Sequence, residues 1–233
     1  MGFIVICIVL FFGLKLYPSY QKYRLSDYKN ASGNRFFKTV FDKGNYGEFL
    51  TFVELERFSG YHRLMTNLYI PKADGSTTEI DLIMISPAGI LVFESKNYSG
   101  WVFGDEKHKY WTQTLHKNSK NKFYNPIWQN KGHISALKAL PSLENDKMYR
   151  SYIVFSERCV LKEVNYSSEY LNVIRRNNLF DAVYSDILNS ERLLNIEQID
   201  EIFYQLEKYT LVDNRVKEEH VNQIKNANNY ESN

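Results

Sequence analysis

Short apolar runs in the middle of the chain predict β-strands. The segments 77–85 and 90–96 are rich in β-branched residues. The turn sequence Ser86-Pro87-Ala88-Gly89 lies between them, so together they predict a hairpin. Further strands are predicted at 61–70, 101–103, 110–115 and 149–155.

Helical spacing of apolar residues predicts three helices around these strands. The first covers residues 46–58 and ends near Gly60. The second opens at Asn125, an N-cap followed by a proline at the first helical position, and extends to about residue 140. Asn195 and Gln198 form a capping box that opens the third, over residues 195–209. Strands mixed with helices in this way predict an α/β fold.

The N-terminus differs from the rest of the chain. Residues 3–14 are an uninterrupted run of apolar residues and glycine, and a helix over residues 2–17 would span about 24 Å. A signal peptide needs a basic start and a small-residue cleavage site, and neither precedes Leu16. A core helix without a polar face, the other alternative, is rare in small domains. We therefore predict a single-pass transmembrane helix, and the basic residues after it place the remaining domain in the cytoplasm (Lys15, Lys22, Arg24 and Lys29).

Five segments follow from this pattern. We expect a membrane anchor at 1–17, a polar linker at 18–43, a core domain at 44–155, an α/β extension at 156–212 and a polar, disordered tail at 213–233.

The composition and motifs of the chain argue against several classes of protein and enzyme. With 44% hydrophobic and 24% charged residues, the chain is neither disordered nor collagenous over most of its length. The two cysteines, Cys7 and Cys159, exclude a disulfide framework, and the five histidines lack zinc-ligand spacing. Because there is also no glycine-rich phosphate loop and no Gly-x-Ser-x-Gly elbow, nucleoside triphosphate and acyl-transfer chemistry lose their usual support.

The predicted hairpin places two acids opposite each other. If its loop is the four residues 86–89, Asp81 faces Glu94 on the same side of the sheet, and like charges in that position repel. A divalent cation such as Mg²⁺ would offset this repulsion. Lys96 extends from the same face, where it could orient a water or stabilise charge on a phosphoryl group. The alternative is that Lys96 only pairs with Glu79 across the sheet and Asp81 caps a strand end.

Four sequence blocks carry a family resemblance. They are Gly47-Glu48 at a helix start, Glu79-Ile80-Asp81, Glu94-Ser95-Lys96-Asn97-Tyr98-Ser99-Gly100, and Asn125-Pro126-Ile127-Trp128-Gln129-Asn130. In this order they resemble the nuclease-related domain (NERD), which is similar to the wider PD-(D/E)xK nuclease superfamily. The superfamily's proline before the aspartate is replaced here by Ile80.

The resemblance implies a fold and a site. The fold is restriction-endonuclease-like, with a central mixed β-sheet flanked by helices. Asp81 and Glu94 would be metal ligands for Mg²⁺ or Mn²⁺, and Lys96 would be the catalytic lysine. Glu48 would support the metal, and Gln129 would point into the site from the later helix.

The charge distribution suggests where nucleic acid would bind. Residues 96–140 contain eight lysines and two acids. Lys117, Lys120 and Lys122 form a basic loop suited to phosphate contacts, although a solvated loop without a ligand fits equally well. The three tryptophans, at positions 101, 111 and 128, are expected in the core rather than as base-stacking platforms.

These observations predict a membrane-anchored nuclease that hydrolyses DNA, or RNA, with a divalent metal. The alternative is a catalytically inactive module of the same fold that binds nucleic acid or a protein partner at the membrane.

Overall fold

The computed structural model describes the backbone of residues 2–115 and 119–231, and the side chains of residues 13–115 and 119–226. Its helices are α1 (Gly2–Leu25), α2 (Tyr28–Ser32), α3 (Phe36–Phe41), α4 (Lys43–Leu55), α5 (Pro126–Lys138), α6 (Leu179–Asn189), α7 (Ile196–Glu207) and α8 (Asn214–Glu231). Its strands are β1 (Arg63–Pro71), β2 (Thr77–Ser86), β3 (Gly89–Lys96), β4 (Gly100–Asp105), β5 (Tyr110–Thr114), β6 (Lys120–Tyr124), β7 (Tyr149–Phe155), β8 (Cys159–Asn165) and β9 (Leu171–Arg175).

The strands form two mixed sheets. The larger sheet has the order β1-β2-β3-β7-β9; β1, β2 and β3 are antiparallel, whereas β3, β7 and β9 are parallel. The smaller sheet has the order β6-β5-β4-β8, with β8 parallel to β4. The predicted α/β fold with a mixed sheet flanked by helices is confirmed, and the second sheet is an addition to it.

Helices cover both faces of the larger sheet. On one face Ile83, Ile90 and Val92 pack in a cluster with Leu137 of α5 and Ile199 of α7. On the other face strand residues pack against α4 and α6, in a cluster that includes Phe49, Phe52, Leu82, Phe93, Tyr152 and Leu179. Strands buried on both faces are expected to be apolar throughout, as β3 is until Glu94. The first polar side chains of β3 therefore mark its carboxyl end.

The segment 18–43, predicted as a linker, is helical and packed. Tyr23 and Tyr28 are buried in the cluster around Phe49, and the Tyr23 hydroxyl donates to the Asn34 carbonyl oxygen at 2.6 Å. These aromatic side chains attach the segment to the core. The polar composition of the segment gave no indication of this packing. The predicted disordered tail likewise contains helix α8, from which His220 packs edge-on against Tyr69.

The predicted transmembrane helix is not supported. Within the part of the chain that the structure describes, no helix is long and apolar enough to cross a membrane. The predicted anchor, residues 1–17, overlaps the first part of α1. The side chains of residues 1–12 lie outside the described set. Membrane anchoring therefore stays a prediction.

Candidate active site

The β2–β3 hairpin has the predicted register. Ile85 pairs with Ile90, Ile83 with Val92 and Leu82 with Phe93, which is the predicted pairing. Ser86 also pairs with Gly89, so the loop itself is shorter than predicted and consists of Pro87 and Ala88. At the next residues of the hairpin, the Ser95 amide donates to Asp81 Oδ2 at 2.8 Å. The Asp81 side chain is therefore fixed beside the carboxyl end of β3.

Glu94 is the buried centre of the site. It is 1% exposed, Lys96 Nζ lies 2.6 Å from its Oε1, and His133 Nε2 lies 2.9 Å from its Oε2. Burial alone would raise the pKa of Glu94, but the Lys96 charge and the His133 hydrogen bond outweigh it and hold that pKa below its usual value. Glu94 is thus a carboxylate with both oxygens engaged.

Lys96 joins Glu94 to helix α5. Its Nζ donates to Gln129 Oε1 at 3.0 Å. Burial lowers the pKa of Lys96, but the carboxylates of Glu94 and Asp81 raise it more, so the lysine is a cation. The alternative partner, Glu79, instead accepts a hydrogen bond from the Tyr69 hydroxyl. The pairing of Lys96 with Glu79 that would have made the lysine purely structural is therefore not observed.

Glu48 reaches the site because α4 approaches β3 closely. A Cβ on Gly47 would lie 2.8 Å from the Asn97 Cβ, so only glycine permits this approach. The Thr51 and Ser95 hydroxyls, 3.3 Å apart, join the same two elements. Glu48 Oε2 is buried and has no hydrogen-bond partner among the described residues.

The acids repel one another. Burial, together with the charges of Glu79 and Glu94, raises the pKa of Glu48 to about 8. Burial and the charges of Glu94 and Glu48 raise the pKa of Asp81 well above its usual value. Such displaced values are common where carboxylates share a functional site.

These carboxylates do not form a ready-made metal centre. Across the described residues, no three His, Cys, Asp or Glu side chains are grouped so that they could hold a metal ion. The chemistry of the donors nevertheless fits a hard cation, because they are carboxylate oxygens and one of them, Glu48 Oε2, is buried without a partner.

A polar cleft opens beside Lys96. It has a volume of about 440 Å³, and its lining includes Lys43, Lys96, Asn97, Gln113 and Arg158. Arg158 Nη2 donates to Asn97 Oδ1 at 2.8 Å, and the Gln113 amide donates to the Ser99 carbonyl oxygen at 2.8 Å. The cleft therefore brings positive charge and hydrogen-bond donors to the place where Lys96 meets solvent.

The predicted basic loop has a different structure. Lys120 and Lys122 lie exposed on β6, in the outer strand of the smaller sheet, rather than in the cleft. Lys117 lies outside the described residues. Trp111 is buried as expected, whereas Trp101 is 49% exposed, so the expectation that every tryptophan is in the core was wrong for Trp101.

Sequence reasoning did not assign His133, Lys43 or Arg158 to the site. His133 is four residues after Gln129 on α5, and this spacing was a usable signal because both side chains reach the Glu94–Lys96 pair. Lys43 precedes Gly47 on α4 and Arg158 follows β7. No local motif marks either position, because both enter the cleft only through the tertiary fold.

Comparison with known proteins identifies the family. Residues 43–156 match the nuclease-related domain. A relative in Bacillus anthracis, an uncharacterised protein, is 32% identical over 188 residues, which cover 79% of this chain and 84% of the relative. The chain belongs to the nuclease-related domain family. NERD proteins are part of the PD-(D/E)xK-like nuclease superfamily, which confirms the resemblance drawn from the four sequence blocks. No solved structure matches the chain.

Membership in the NERD family gives the site its context. The matched region runs from the start of α4 to the end of β7, so it contains Glu48, Asp81, Glu94, Lys96 and Gln129. The family points to a nuclease-like function, while the relative's description names no substrate.

Proposed function

We propose that this NERD protein is a metal-dependent nuclease that hydrolyses phosphodiester bonds in DNA, or in RNA, while anchored to a membrane. The observation that carries the proposal is the convergence of Asp81, Glu94 and Lys96 at the open end of the β2–β3 hairpin. There Glu94 holds Lys96 at 2.6 Å, and the cleft beside them is lined by further cations.

Each residue of the candidate site has a proposed role. Asp81, Glu94 and Glu48 would hold Mg²⁺ or Mn²⁺. When bound, such a cation polarises a phosphate and lowers the pKa of an attacking water. Lys96, held as a cation by Glu94 and Asp81, stabilises negative charge developing on the phosphoryl oxygens. Gln129 helps to hold the Lys96 ammonium group in place, because its Oε1 accepts a hydrogen bond from Nζ.

Cleavage by the full-length chain tests this function. The purified protein in mild detergent is incubated with labelled plasmid, single-stranded DNA and RNA, with Mg²⁺ or with a chelator. We expect cleavage with Mg²⁺ only. Lys96→Met, which keeps the chain length and removes the charge, should lower the rate by at least about 100-fold. Lys107→Met, at an exposed turn, should cleave like the wild type. Equal cleavage by Lys96→Met and the wild type would contradict the assignment.

One observation favours an inactive binding module as the second candidate. Both oxygens of Glu94 are occupied by side chains of this chain, and no three-ligand metal group is assembled in the described residues. Calorimetric titration with Mg²⁺ separates the candidates. The nuclease requires a binding signal that Asp81→Asn abolishes, whereas the module would still bind nucleic acid without any Mg²⁺ signal.

The membrane anchor is proposed from the sequence alone. Residues 3–14 are apolar or glycine, and the nearby basic residues favour a cytoplasmic domain. We expect the full chain to sediment with membranes and to resist carbonate extraction, with its C-terminal part digested only when protease has access to the cytoplasmic side. Release of the chain by carbonate would contradict a transmembrane anchor.

A further inference from the structure

The smaller sheet has one buried and one open face. Side chains alternate along a strand, and residues paired in an antiparallel ladder lie on the same face. Val102 and Trp111 are on the inner face, where both are fully buried. The outer face presents three successive rows of paired residues: Trp101–Thr114–Lys120, Phe103–Thr112–Lys122 and Tyr110–Tyr124.

This outer face is unusually aromatic for an open surface. Trp101 is 49% exposed, Tyr110 is 47% exposed and Tyr124 is 44% exposed. Val160, the register partner of Trp101 on β8, is also exposed. Tyr110 and Tyr124 pack edge-on against each other with ring centroids 6.5 Å apart, yet nearly half of each residue stays exposed. A cluster of exposed aromatic residues of this kind is typical of an interaction site.

Lysines are interleaved with the rings. Lys120 and Lys122 are exposed on β6, and Lys162 Nζ lies 4.9 Å from the centre of the Trp101 ring. Two acids share this face with the three lysines: Glu163 is the register partner of Phe103, and Asp105 follows Phe103 by two residues on β4. The face thus combines rings with a net excess of positive charge, and this combination matches a polyanion with exposed aromatic groups.

The face leads to the candidate active site. Ser99, Gln113 and Leu115 line the cleft beside Lys96. The first row of the outer face, Trp101 paired with Thr114, follows these residues directly along β4 and β5. Gln113 belongs to the inner face as the register partner of Val102, so a strand lying on the outer rows would reach the cleft that contains Lys96 by passing around this end of β4 and β5.

We propose that the outer face of the smaller sheet binds single-stranded DNA, with unpaired bases stacked on Trp101 and Tyr124 and phosphates contacted by Lys120 and Lys122. Bases in a duplex are stacked on each other and offer no ring face, so the exposed aromatics select unpaired strands. This proposal deepens the proposed nuclease function and rests on it for the assignment of nucleic acid as substrate.

Binding without cleavage provides the test. Fluorescence anisotropy of a labelled 20-nucleotide oligo(dT) is measured with the full chain carrying Lys96→Met, in chelator. Trp101→Ala and Tyr124→Ala should each raise the Kd about 10-fold. Tyr204→Ala, which removes a still more exposed tyrosine from α7, should leave the Kd unchanged. Thermal unfolding of each variant verifies that the fold is intact.

Salt dependence tests the lysines separately. The double variant Lys120→Ala/Lys122→Ala should reduce the slope of log K against log salt by about 1.4, as expected for two lost phosphate contacts to a single strand. Wild-type affinity in folded Trp101→Ala and Tyr124→Ala would overturn the proposal. Equal affinity for a duplex of the same length would also overturn it.

The outcomes distinguish a failure of the single-strand-binding proposal from a failure of the nuclease proposal. If the wild type cleaves DNA while the outer-face variants bind oligo(dT) normally, only the single-strand face is wrong. If those variants lose binding while the wild type cleaves nothing, the face stands and the nuclease assignment fails.

Discussion

At the scale of single residues, the site is a balance between three carboxylates and one ammonium group. Glu94 is paired with Lys96, but Glu48 Oε2 is buried without a partner. A buried acid that repels its neighbours destabilises the fold, and proteins keep such groups where they serve a function.

The unpartnered acid gives a stability prediction. Glu48→Gln keeps the shape of the side chain and removes the ionisable group, which must take up a proton on folding at neutral pH because its pKa is raised to about 8. Without metal, at neutral pH, we expect it to stabilise the protein by about 1–2 kcal/mol, or roughly 5 °C in Tm. Glu54→Gln, on the same helix but paired with Arg57 at the surface, should leave Tm nearly unchanged. A lower Tm for Glu48→Gln than for the wild type in chelator would show that the Glu48 carboxylate is stabilising.

His133 is predicted to position Glu94. Its Nε2 donates to Glu94 Oε2, while its Nδ1 lies 2.7 Å from the Thr78 hydroxyl, so the ring is held from both sides. His133→Leu should lower cleavage by about 10- to 100-fold. His133→Gln, whose amide can still donate to Glu94, should recover part of the loss. Equal rates for the two variants in a cleavage assay would leave His133 with a packing role only.

At the scale of elements, turns and caps were the parts that sequence predicted best. The hairpin loop, the Asn125 cap with Pro126, and the capping box of Asn195 and Gln198 all occur where the pattern placed them. Each is specified by residues adjacent in sequence. Strand β6 was missed because Lys120-Asn121-Lys122 has no apolar alternation, and its structure depends on pairing with β5.

The hairpin turn gives a second stability prediction. Gly89 has φ +110°, and a Cβ there would lie 2.3 Å from the Met148 carbonyl oxygen. Gly60 has nearly the same φ, +107°, but open space around it. Gly60→Ala should cost about 1–3 kcal/mol from backbone strain alone. Gly89→Ala should cost clearly more in urea unfolding, since the turn must also move away from Met148. Equal losses would show that the turn relaxes without cost.

An ion pair between elements gives a pH prediction. Glu157, after β7, pairs with the buried Arg176 before α6, whose Nη1 also donates to the Gly47 carbonyl oxygen. Although partial burial opposes ionisation, Arg176 keeps the pKa of Glu157 below its usual value. The stabilisation is therefore present above the ordinary glutamate pKa and is lost as the pH falls through the lowered value.

Comparison with a neutral variant measures this contribution. Glu157→Gln should be less stable than the wild type by about 1 kcal/mol at pH 7, because Glu157 is half exposed. The two proteins should become equally stable once the pH is below the lowered pKa of Glu157. Urea unfolding at both pH values checks the change, and a difference that persists at low pH would indicate a role other than charge.

At the scale of the whole molecule, residues in short motifs could be predicted from sequence, whereas contacts between distant segments could not. Asp81, Glu94, Lys96 and Gln129 could be named because they sit in short motifs, and the structure brings them together. The cleft residues Lys43 and Arg158 could not, because each comes from a distant element. The packed segment 18–43 was also hidden, since a few aromatic residues among polar ones resemble a linker until their contacts are known.

The packing of that segment predicts where the chain can be shortened. A chain beginning at Pro18 keeps the Tyr23 ring against Phe36 and Phe49, and keeps the Ser19–Tyr46 hydrogen bond at 3.1 Å. A chain beginning at Ser26 loses both. Because truncating a buried aromatic side chain costs about 3–5 kcal/mol, we expect the shorter chain to unfold at least 5 °C lower.

Tyr23→Ala in the longer chain should reproduce most of this loss, whereas Tyr17→Ala in the full chain, at an exposed ring, should not. Equal Tm values for the two truncated chains would mean that the C-terminal half of α1 is as dispensable as its linker-like composition suggested.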